Sequence, residues 1–459
     1  MAADSKTMQI QQISVNKLFG IFDHVIPLNM DKRITIIHGP NGFGKTAMLR
    51  LLNGFFNSRY SVFRTIPFSQ FQIDFNNGDR VEISKNPETP ENQKKREQIS
   101  FDFYEMGQEK TSFLLKAHKN NSLLRFPVNI IDELIPELRR VGPKMWEHMT
   151  TGETLFLDDV IYRFYDRLPS QSYLRDEPKW LIKLRKNIHI RLIESQRLLN
   201  FVHSRSSRVK SGTSSMSPTV SAYSEEIAQL IQLKLAEYGT ISQSLDRTFP
   251  ARVLQRQTAP EVTDEQLRDQ LNELEEIRSR LIEVGLIVKE ENSEFPIQSN
   301  LIDKSIRNIL SVYIEDVERK LGVFSEIASK IELLRRIINN KFSYSFKEMS
   351  FNDEKGFVFK TLYHPAPSNN ETLSPNDLSS GEQHELVLLY ELLFKVQPNS
   401  LVLIDEPELS LHVGWQAQFL KDLQEITKLA DLDVLMATHS PDIIQDRWDL
   451  TVKLKRPEE

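Results

Sequence analysis

The sequence predicts a mixed α/β chain interrupted by a long helical insertion. Three observations predict it. Strand–loop–helix alternation occupies both ends, over residues 8–56 and 346–459. Asn77-Gly78 stands between two alternating apolar runs, Phe71 to Ser84, and predicts an antiparallel hairpin. From about 222 to 341 the pattern is helical, with apolar residues recurring at three- and four-residue spacing.

Taken in order, residues 8–19 (Ile10, Ile13, Val15, Leu18) and 33–38 (Ile34, Ile36, Ile37) predict strands. The polar stretch Lys85 to Glu97 predicts a loop, and Ser100 to Met106 another strand. Residues 129–168 are mostly helical in pattern. Asn187 to Leu199 predicts a strand that ends in the polar pair Gln196-Arg197. Ser204 to Ser221 is Ser-rich and predicts a mobile loop. Thr263 can cap a helix and Gln266 completes a capping box, ahead of a stripe that runs from Leu267 to Val284. At 1.5 Å per residue that helix reaches about 30 Å, which suits a short coiled coil, hairpin or bundle rather than a long arm. A second helical run, Leu301 to Phe342, is expected to break at Gly322. Ser400 to Asp405 and Asp433 to Ser440 predict buried parallel strands.

Composition excludes several classes. The 459 residues are 39% hydrophobic and 27% charged, enough for two or three domains with a sizeable core. A net charge of -6 makes no global electrostatic case for nucleic acid. There is no cysteine, so disulfides, thiolate metal sites and Cys nucleophiles are out. The start, MAADSKTMQIQQ, has no signal pattern, and no apolar run approaches the roughly 18 residues of a membrane span. A cytoplasmic protein without a membrane partner is expected.

Four short stretches carry chemistry. Gly39, Pro40, Asn41, Gly42, Phe43, Gly44, Lys45 and Thr46 fit G-x-x-x-x-G-K-T between a β-branched run and an amphipathic helix. In such a loop backbone N–H groups cradle phosphates, Lys45 reaches the β- and γ-phosphates, and the Thr46 hydroxyl ligates Mg²⁺. ATP and Mg²⁺ are the expected cofactors. In LVLIDEPELSLH, Leu401 to His412, Asp405 is placed to hold Mg²⁺ through water and Glu406 to polarise an attacking water. The bland alternative is a solvated strand end. Ser379, Ser380 and Gly381 open an amphipathic helix and form a second phosphate-ready N-terminus, which one γ-phosphate in the same chain does not need. A partner's nucleotide explains it; so would an ordinary N-cap. Last, His439 follows a buried strand in ATHSP and can hydrogen-bond a γ-phosphate, although a lone His there is more often structural.

Together these motifs resemble the ATP-binding-cassette (ABC) ATPase superfamily. The resemblance makes Gly39–Thr46 the Walker A loop, Leu378–Glu382 the signature, Leu401–Glu406 Walker B, Leu409–His412 the D-loop and His439 the switch. It also implies that Gln196 is the Q-loop glutamine, catalytic and near the metal, and that Glu382 belongs to the nucleotide-contacting signature. The fold it implies is an ABC-type ATPase head, a mixed and parallel sheet with a P-loop and an antiparallel β lobe. Residues 1–203 and 346–459 would be its two halves. Residues 204–221 would be a flexible loop, and 222–345 a helical insertion for oligomer and partner docking.

The signature departs from the commonest transporter form at Ser380 and Glu382. LSSGE with DEPELSLH is instead typical of SMC-, RecF- and OLD-like ATPases (the AAA15 group). Walker A and signature also stand far apart, as in that branch. The residues after His439 leave no room for a Toprim nuclease domain, so any nuclease is expected on another chain. Whole stretches, FGIFDHVIPLNMDKRITIIHGPNGFGKT, LSSGEQHELVLLYELLF and THSPDIIQDRWDL, resemble stand-alone ATPases of bacterial anti-phage operons. The ATPases of the PARIS system come first and those of Septu second. That implies a homo-oligomer joined by a head-to-head ATP sandwich, with a separate nuclease (Toprim/OLD-type, or HNH in the Septu case) and a phage-encoded trigger protein. A DNA-repair or DNA-end-processing ATPase is the alternative. One basic stretch, Lys179 to Lys210, could bind nucleic acid or an acidic partner, or be a solvated face.

Overall fold

The computed structural model describes residues 8–86, 98–115, 128–135, 137–149, 152–164, 177–195, 197–201, 216–255, 263–288, 304–362, 372–409 and 411–457. β1 (Ile10–Leu18) and β2 (Phe22–Pro27) pair antiparallel and bury Ile13, Val15 and Ile26. β3 (Ile34–His38), α1 (Lys45–Phe56) and α2 (Val62–Thr65) follow. Then come β4 (Gln70–Phe75), β5 (Arg80–Asn86), β6 (Gln98–Tyr104) and β7 (Thr111–Leu115), completing an antiparallel sheet of order β2-β1-β4-β5-β6-β7. The expected hairpin is β4–β5, with Phe71 opposite Ile83 and Ile73 opposite Val81. Its turn places Gly78 at φ 88°, where a side chain would be strained, and the Asn77 side chain accepts from the Asp79 N–H at 3.1 Å.

Residues 129–168 depart from the helical expectation. Among its described residues, only α3 (Ile130–Leu134) and α4 (Leu157–Phe164) are helical. Between them β8 (Leu138–Gly142), β9 (Met145–His148) and β10 (Thr154–Phe156) form a three-stranded antiparallel sheet. Gly142-Pro143 cannot continue a helix and makes the β8–β9 turn instead. Trp146 is fully buried among Ile131, Leu138, Leu155 and Val160, and its indole N–H donates to Asp132 at 2.6 Å.

α5 (Lys179–Asn187) leads to β11 (Ile190–Ile193), so the strand expected over 187–199 is only four residues long. The next strand, β12 (Leu199–Phe201), pairs with β13 (Met216–Pro218) rather than extending β11. The Ser-rich loop expectation lies mainly outside the described residues. Its last part is corrected: 216–218 is strand, and α6 (Thr219–Gln255) starts at Thr219.

α6 has 37 residues, about 55 Å of helix, longer than the sequence pattern suggested. Its burial explains why. Val220, Tyr223, Ile227 and Ile231 are buried near its start, and Leu245 alone further on, so no continuous stripe announces the whole helix. α7 (Asp264–Glu283) carries the expected capping box: Gln266 N–H donates to Thr263 Oγ1 at 3.2 Å, and Thr263 N–H to Gln266 Oε1 at 2.9 Å. α8 (Lys304–Gly322) ends at the expected glycine, and α9 (Ser325–Phe342) follows. α6 and α7 pack on α8, tied by ion pairs such as Arg252 to Asp316. β14 (Lys347–Asn352), β15 (Gly356–Thr361) and β16 (Thr372–Leu373) form an antiparallel sheet. α10 (Ser380–Tyr390) continues as a π-helical segment over Glu391–Lys395.

β17 (Ser400–Asp405), α11 (Val413–Ala430), β18 (Leu432–Thr438), α12 (Pro441–Ile444) and β19 (Thr451–Lys453) complete the chain. The second large sheet is parallel throughout, of order β11-β17-β18-β3-β19. Every residue of β17 is buried, as its unbroken apolar run requires. The chain divides into two units: 1–196 with 204–214 and 395–459, and 197–203 with 215–394. Among the described residues no helix is long and apolar enough to cross a membrane.

Candidate nucleotide site

In the first unit, three adjacent parallel strands aim their C-terminal ends at one edge. Asp405 pairs in register with Ala437, and Thr438 with His38. The register therefore brings the ends of β17, β18 and β3 together, which is where ligands bind open α/β sheets. The 39–44 loop leaves β3 at this edge and enters α1. Gly44 is the N-cap at φ 88°, and a Cβ there would stand 2.2 Å from Leu18 Cδ2, so conformation and space both demand glycine. No side chain caps α1, which leaves the N–H groups of its first turn for an anion.

Lys45 is 5% exposed. Its ammonium donates to Gly39 O at 2.8 Å and Pro40 O at 3.1 Å, and meets His439 Nδ1 at 3.2 Å. Burial lowers its pKa, against the carboxylates of Glu406, Glu408 and Asp405. Thr46 Oγ1 donates to Asp405 Oδ1 at 2.9 Å. Burial pushes Asp405 up to about 6, opposed by the Thr46 bond and reinforced by Glu406. Phosphate oxygens can replace the loop carbonyls around the Lys45 ammonium. The paired oxygens of Thr46 and Asp405 are the hard donors Mg²⁺ takes, so the residues present fit the cation.

Glu406 sits just past β17 with φ 46°, a backbone region uncommon for a non-glycine residue and concentrated at functional sites. That turn points its carboxylate back at His439, whose Nε2 is 3.4 Å away. His439 Nδ1 faces an ammonium, so it accepts, and Nε2 carries the proton toward Glu406. Lys45, His439 and Glu406 thus form one continuous polar line. Two residues that the motif reading missed hold it. Glu408 accepts the His439 backbone N–H at 2.6 Å, and Gln416 accepts from the Ser440 hydroxyl at 2.7 Å. Glu408 stands two residues past the Leu401–Glu406 stretch, but only the tertiary fold reveals its bond.

In the second unit Ser379 caps α10. Its N–H donates to Glu382 Oε2 at 2.8 Å, and the Glu382 N–H returns to Ser379 Oγ at 3.4 Å, a capping box. Ser379 and Ser380 are exposed, with Gly381 half-buried. Glu382 is buried and bound by Lys347 at 2.7 Å and Ser345 at 2.7 Å. Burial raises its carboxyl, but those partners and Ser379 outweigh it and hold the pKa below the usual value. Its carboxylate braces the start of the signature helix. Gln196 lies outside the described residues.

The profile of the AAA ATPase domain family matches residues 8–444. The chain belongs to this family. It is an ATPase, converting ATP and water to ADP and phosphate. No curated protein matches the chain. Among solved structures, an Smc head domain with an extended coiled coil, bound to the C-terminal domain of ScpA and derived from Pyrococcus furiosus, is 12% identical, with 98% of this chain and 94% of that chain covered and a TM-score of 0.32. An SMC head domain from Thermotoga maritima is 11% identical over 95% and 91%, with a TM-score of 0.31.

In this AAA ATPase, the arrangement can serve phosphoryl transfer. The Lys45 ammonium can meet phosphate oxygens and offset charge on them. Thr46 and Asp405 would hold Mg²⁺, which when bound would supply positive charge against the phosphates. Glu406 can accept a proton from an attacking water, and His439 can donate from Nε2 once Lys45 turns to phosphate. Among the described residues no group of three or more His, Asp or Glu side chains could hold a metal ion.

Proposed function

We propose that this ATPase is the scaffold and sensor of a bacterial anti-phage defence complex. It holds a separately encoded nuclease inactive and releases or activates it when a phage-encoded protein binds. Hydrolysis is slow and regulatory. The sequence stretches quoted above support the reading, since they resemble the PARIS ATPase AriA, whose partner AriB is a Toprim-type nuclease. PtuA of Septu, paired with an HNH nuclease, is the second resemblance. Residues 1–203 and 346–459 act as the two halves of the head, and 222–345 as the docking insertion for further subunits.

The observation that carries the reading is a division of labour within one chain. The nucleotide residues Lys45, Asp405, Glu406 and His439 belong to one unit, and the exposed signature turn Ser379-Ser380 belongs to the helical one. ATP contacts two subunits only when they close, and a ligand shifts an equilibrium by its differential affinity for the two states. ATP therefore favours a closed homo-oligomer able to carry an effector. The basic segment from Lys179 and the Ser-rich stretch to Lys210 are the proposed contact for the trigger. Arg185 is already committed, to Glu177 at 2.8 Å and to the Phe55 carbonyl, so Lys179, Lys183 and Lys186 are the exposed cations of α5.

The test is purification from the native operon, with size measured with and without ATP. A nuclease that co-purifies, in an assembly that grows with ATP, is the expected result. A lone monomer whose hydrolysis is strongly stimulated by DNA ends would replace this reading with DNA repair.

A further inference from the structure

Arg197 opens the second unit and is 6% exposed. Its Nε, Nη1 and Nη2 are all buried without a hydrogen-bond partner. Folded proteins rarely leave a buried guanidinium so, and each such group calls for an explanation. The carboxylates that act on its charge belong to the helix that carries the proposed signature and to its π segment. Burial draws Arg197 down to about 10, against the carboxylates of Glu385 and Glu391, and its charge helps hold His384 down at about 4. Glu385 is in α10, and Glu391 begins the π segment. Glu385 Oε2 and the Tyr390 hydroxyl are likewise buried without a partner. The other Glu385 oxygen is held by Lys341, and Glu391 accepts the Tyr223 hydroxyl at 2.6 Å.

Two features make this arrangement a device rather than a defect. A guanidinium offers a planar fork that matches a carboxylate, so a small turn of α10 can convert three idle donors into charge-assisted bonds. A π segment is where a helix can change register, and such segments concentrate at functional sites. Here it begins at Glu391, one turn or two beyond Glu385.

We propose that Arg197 is a positioning residue for the signature turn: its guanidinium engages Glu385 Oε2 and the Glu391 carboxylate when α10 turns at its π segment, and that engagement sets Ser379, Ser380 and Gly381 where a partner's nucleotide is held. The inference rests on the reading that the signature serves a partner. Arg197 acts through α10 and does not touch ATP. Its loss leaves Walker A binding intact while weakening ATP-dependent closure. Lys341 and Lys347, on α9 and β14, hold α10 through Glu385 and Glu382, so the helix has a brace against which to turn.

The experiment uses the full chain as wild type, Arg197→Met, Arg197→Lys, Glu391→Gln and Ser380→Arg. A non-hydrolysable ATP analogue is titrated to give its affinity. Self-association with the analogue, turnover of ATP and melting temperature are then measured. Arg197→Met is expected to keep analogue affinity within about threefold and lose roughly tenfold or more in self-association and kcat, as coupled contacts of this kind do. Arg197→Lys restores part, because the charge returns without the fork. Should Arg197→Met not fold, Arg197→Lys and Glu391→Gln must show the same split between retained affinity and lost assembly. Wild-type assembly in the Arg197 variants overturns the proposal, as does a loss of affinity and melting temperature in step with assembly. Ser380→Arg separates the two readings. If it fails to assemble while the Arg197 variants assemble, the Arg197 inference alone falls. If it assembles normally, the partner-serving signature falls and takes the inference with it.

Discussion

Thr46 Oγ1 donates to Asp405 Oδ1 at 2.9 Å, joining the first turn of α1 to the end of β17. The two oxygens belong to different motifs, far apart in sequence, and their bond marks where a divalent cation fits. Asp405→Asn keeps the shape and removes the charge. The Mg²⁺ concentration needed for half-maximal hydrolysis should rise roughly 10–100-fold, the usual cost of a lost metal partner. A Mg²⁺ titration of the ATPase checks this, and an unchanged requirement would remove Asp405 from the metal site.

Lys45 is the cation of the 39–46 loop, and its ammonium rests on Gly39 O and Pro40 O. Lys45→Ala should weaken ATP binding about 10–100-fold, matching about 1.5–3 kcal/mol for a hydrogen bond to a charged group. Lys45→Arg should be a poor substitute, since the pocket fits a compact ammonium. Equilibrium binding of ATP is the measurement, and wild-type affinity in the alanine variant contradicts the assignment.

Glu406 faces His439 Nε2 at 3.4 Å from a left-handed backbone position. Glu406→Gln keeps that geometry and loses the base. ATP should still bind, while turnover drops by roughly 10²–10⁴, the range of general-base contributions. Single-turnover hydrolysis with bound ATP reads this directly. Turnover at the wild-type rate would mean that another group takes the proton.

The structure brings together Lys45, Thr46, Asp405, Glu406 and His439, which stand out in the sequence because phosphate chemistry dictates residue type at fixed spacing. What was not legible depended on partners distant in sequence. Glu408 looks like one more acid just past the Leu401–Glu406 stretch until its carboxylate is seen on the His439 N–H. Glu382 reads as a phosphate contact within the signature, yet Lys347 and Ser345 occupy its carboxylate. The β8–β10 sheet escaped because strands of three to five residues, one with Arg139-Arg140 at its centre, show too little alternation to outvote flanking helical runs. α6 was under-read for the opposite reason, since a long helix buried at one end carries no full-length stripe.

His384, on the signature helix, is held down at about 4 by burial and by the Arg197 charge, against an ordinary 6.5. The sign follows from proton uptake. Below about pH 6.5 the unfolded chain protonates this ring and the folded one does not, so stability falls as pH drops toward 4. His384→Asn should lose that component and show a flatter dependence across the window. Denaturant melts of both proteins at several pH values test it. Parallel pH profiles would show that His384 contributes nothing.

The proposed sharing of one nucleotide between two chains gives the last prediction. Lys45 and the signature turn lie in different units of the chain, and Ser380 is exposed at the N-terminus of α10 with Ser379 already used as the cap. If Ser380 contacts a neighbour's γ-phosphate, a Lys45→Ala chain still offers an intact signature, and a Ser380→Arg chain still offers an intact phosphate loop. Mixing the two therefore rebuilds one whole site in each mixed pair and leaves the other doubly damaged. Neither variant alone contains a whole site. ATP hydrolysis in the mixture should exceed the sum of the separate variants and follow the fraction of mixed pairs, which differently tagged chains report. Additive activity in chains shown to mix would place the signature on its own chain's nucleotide and end the trans reading.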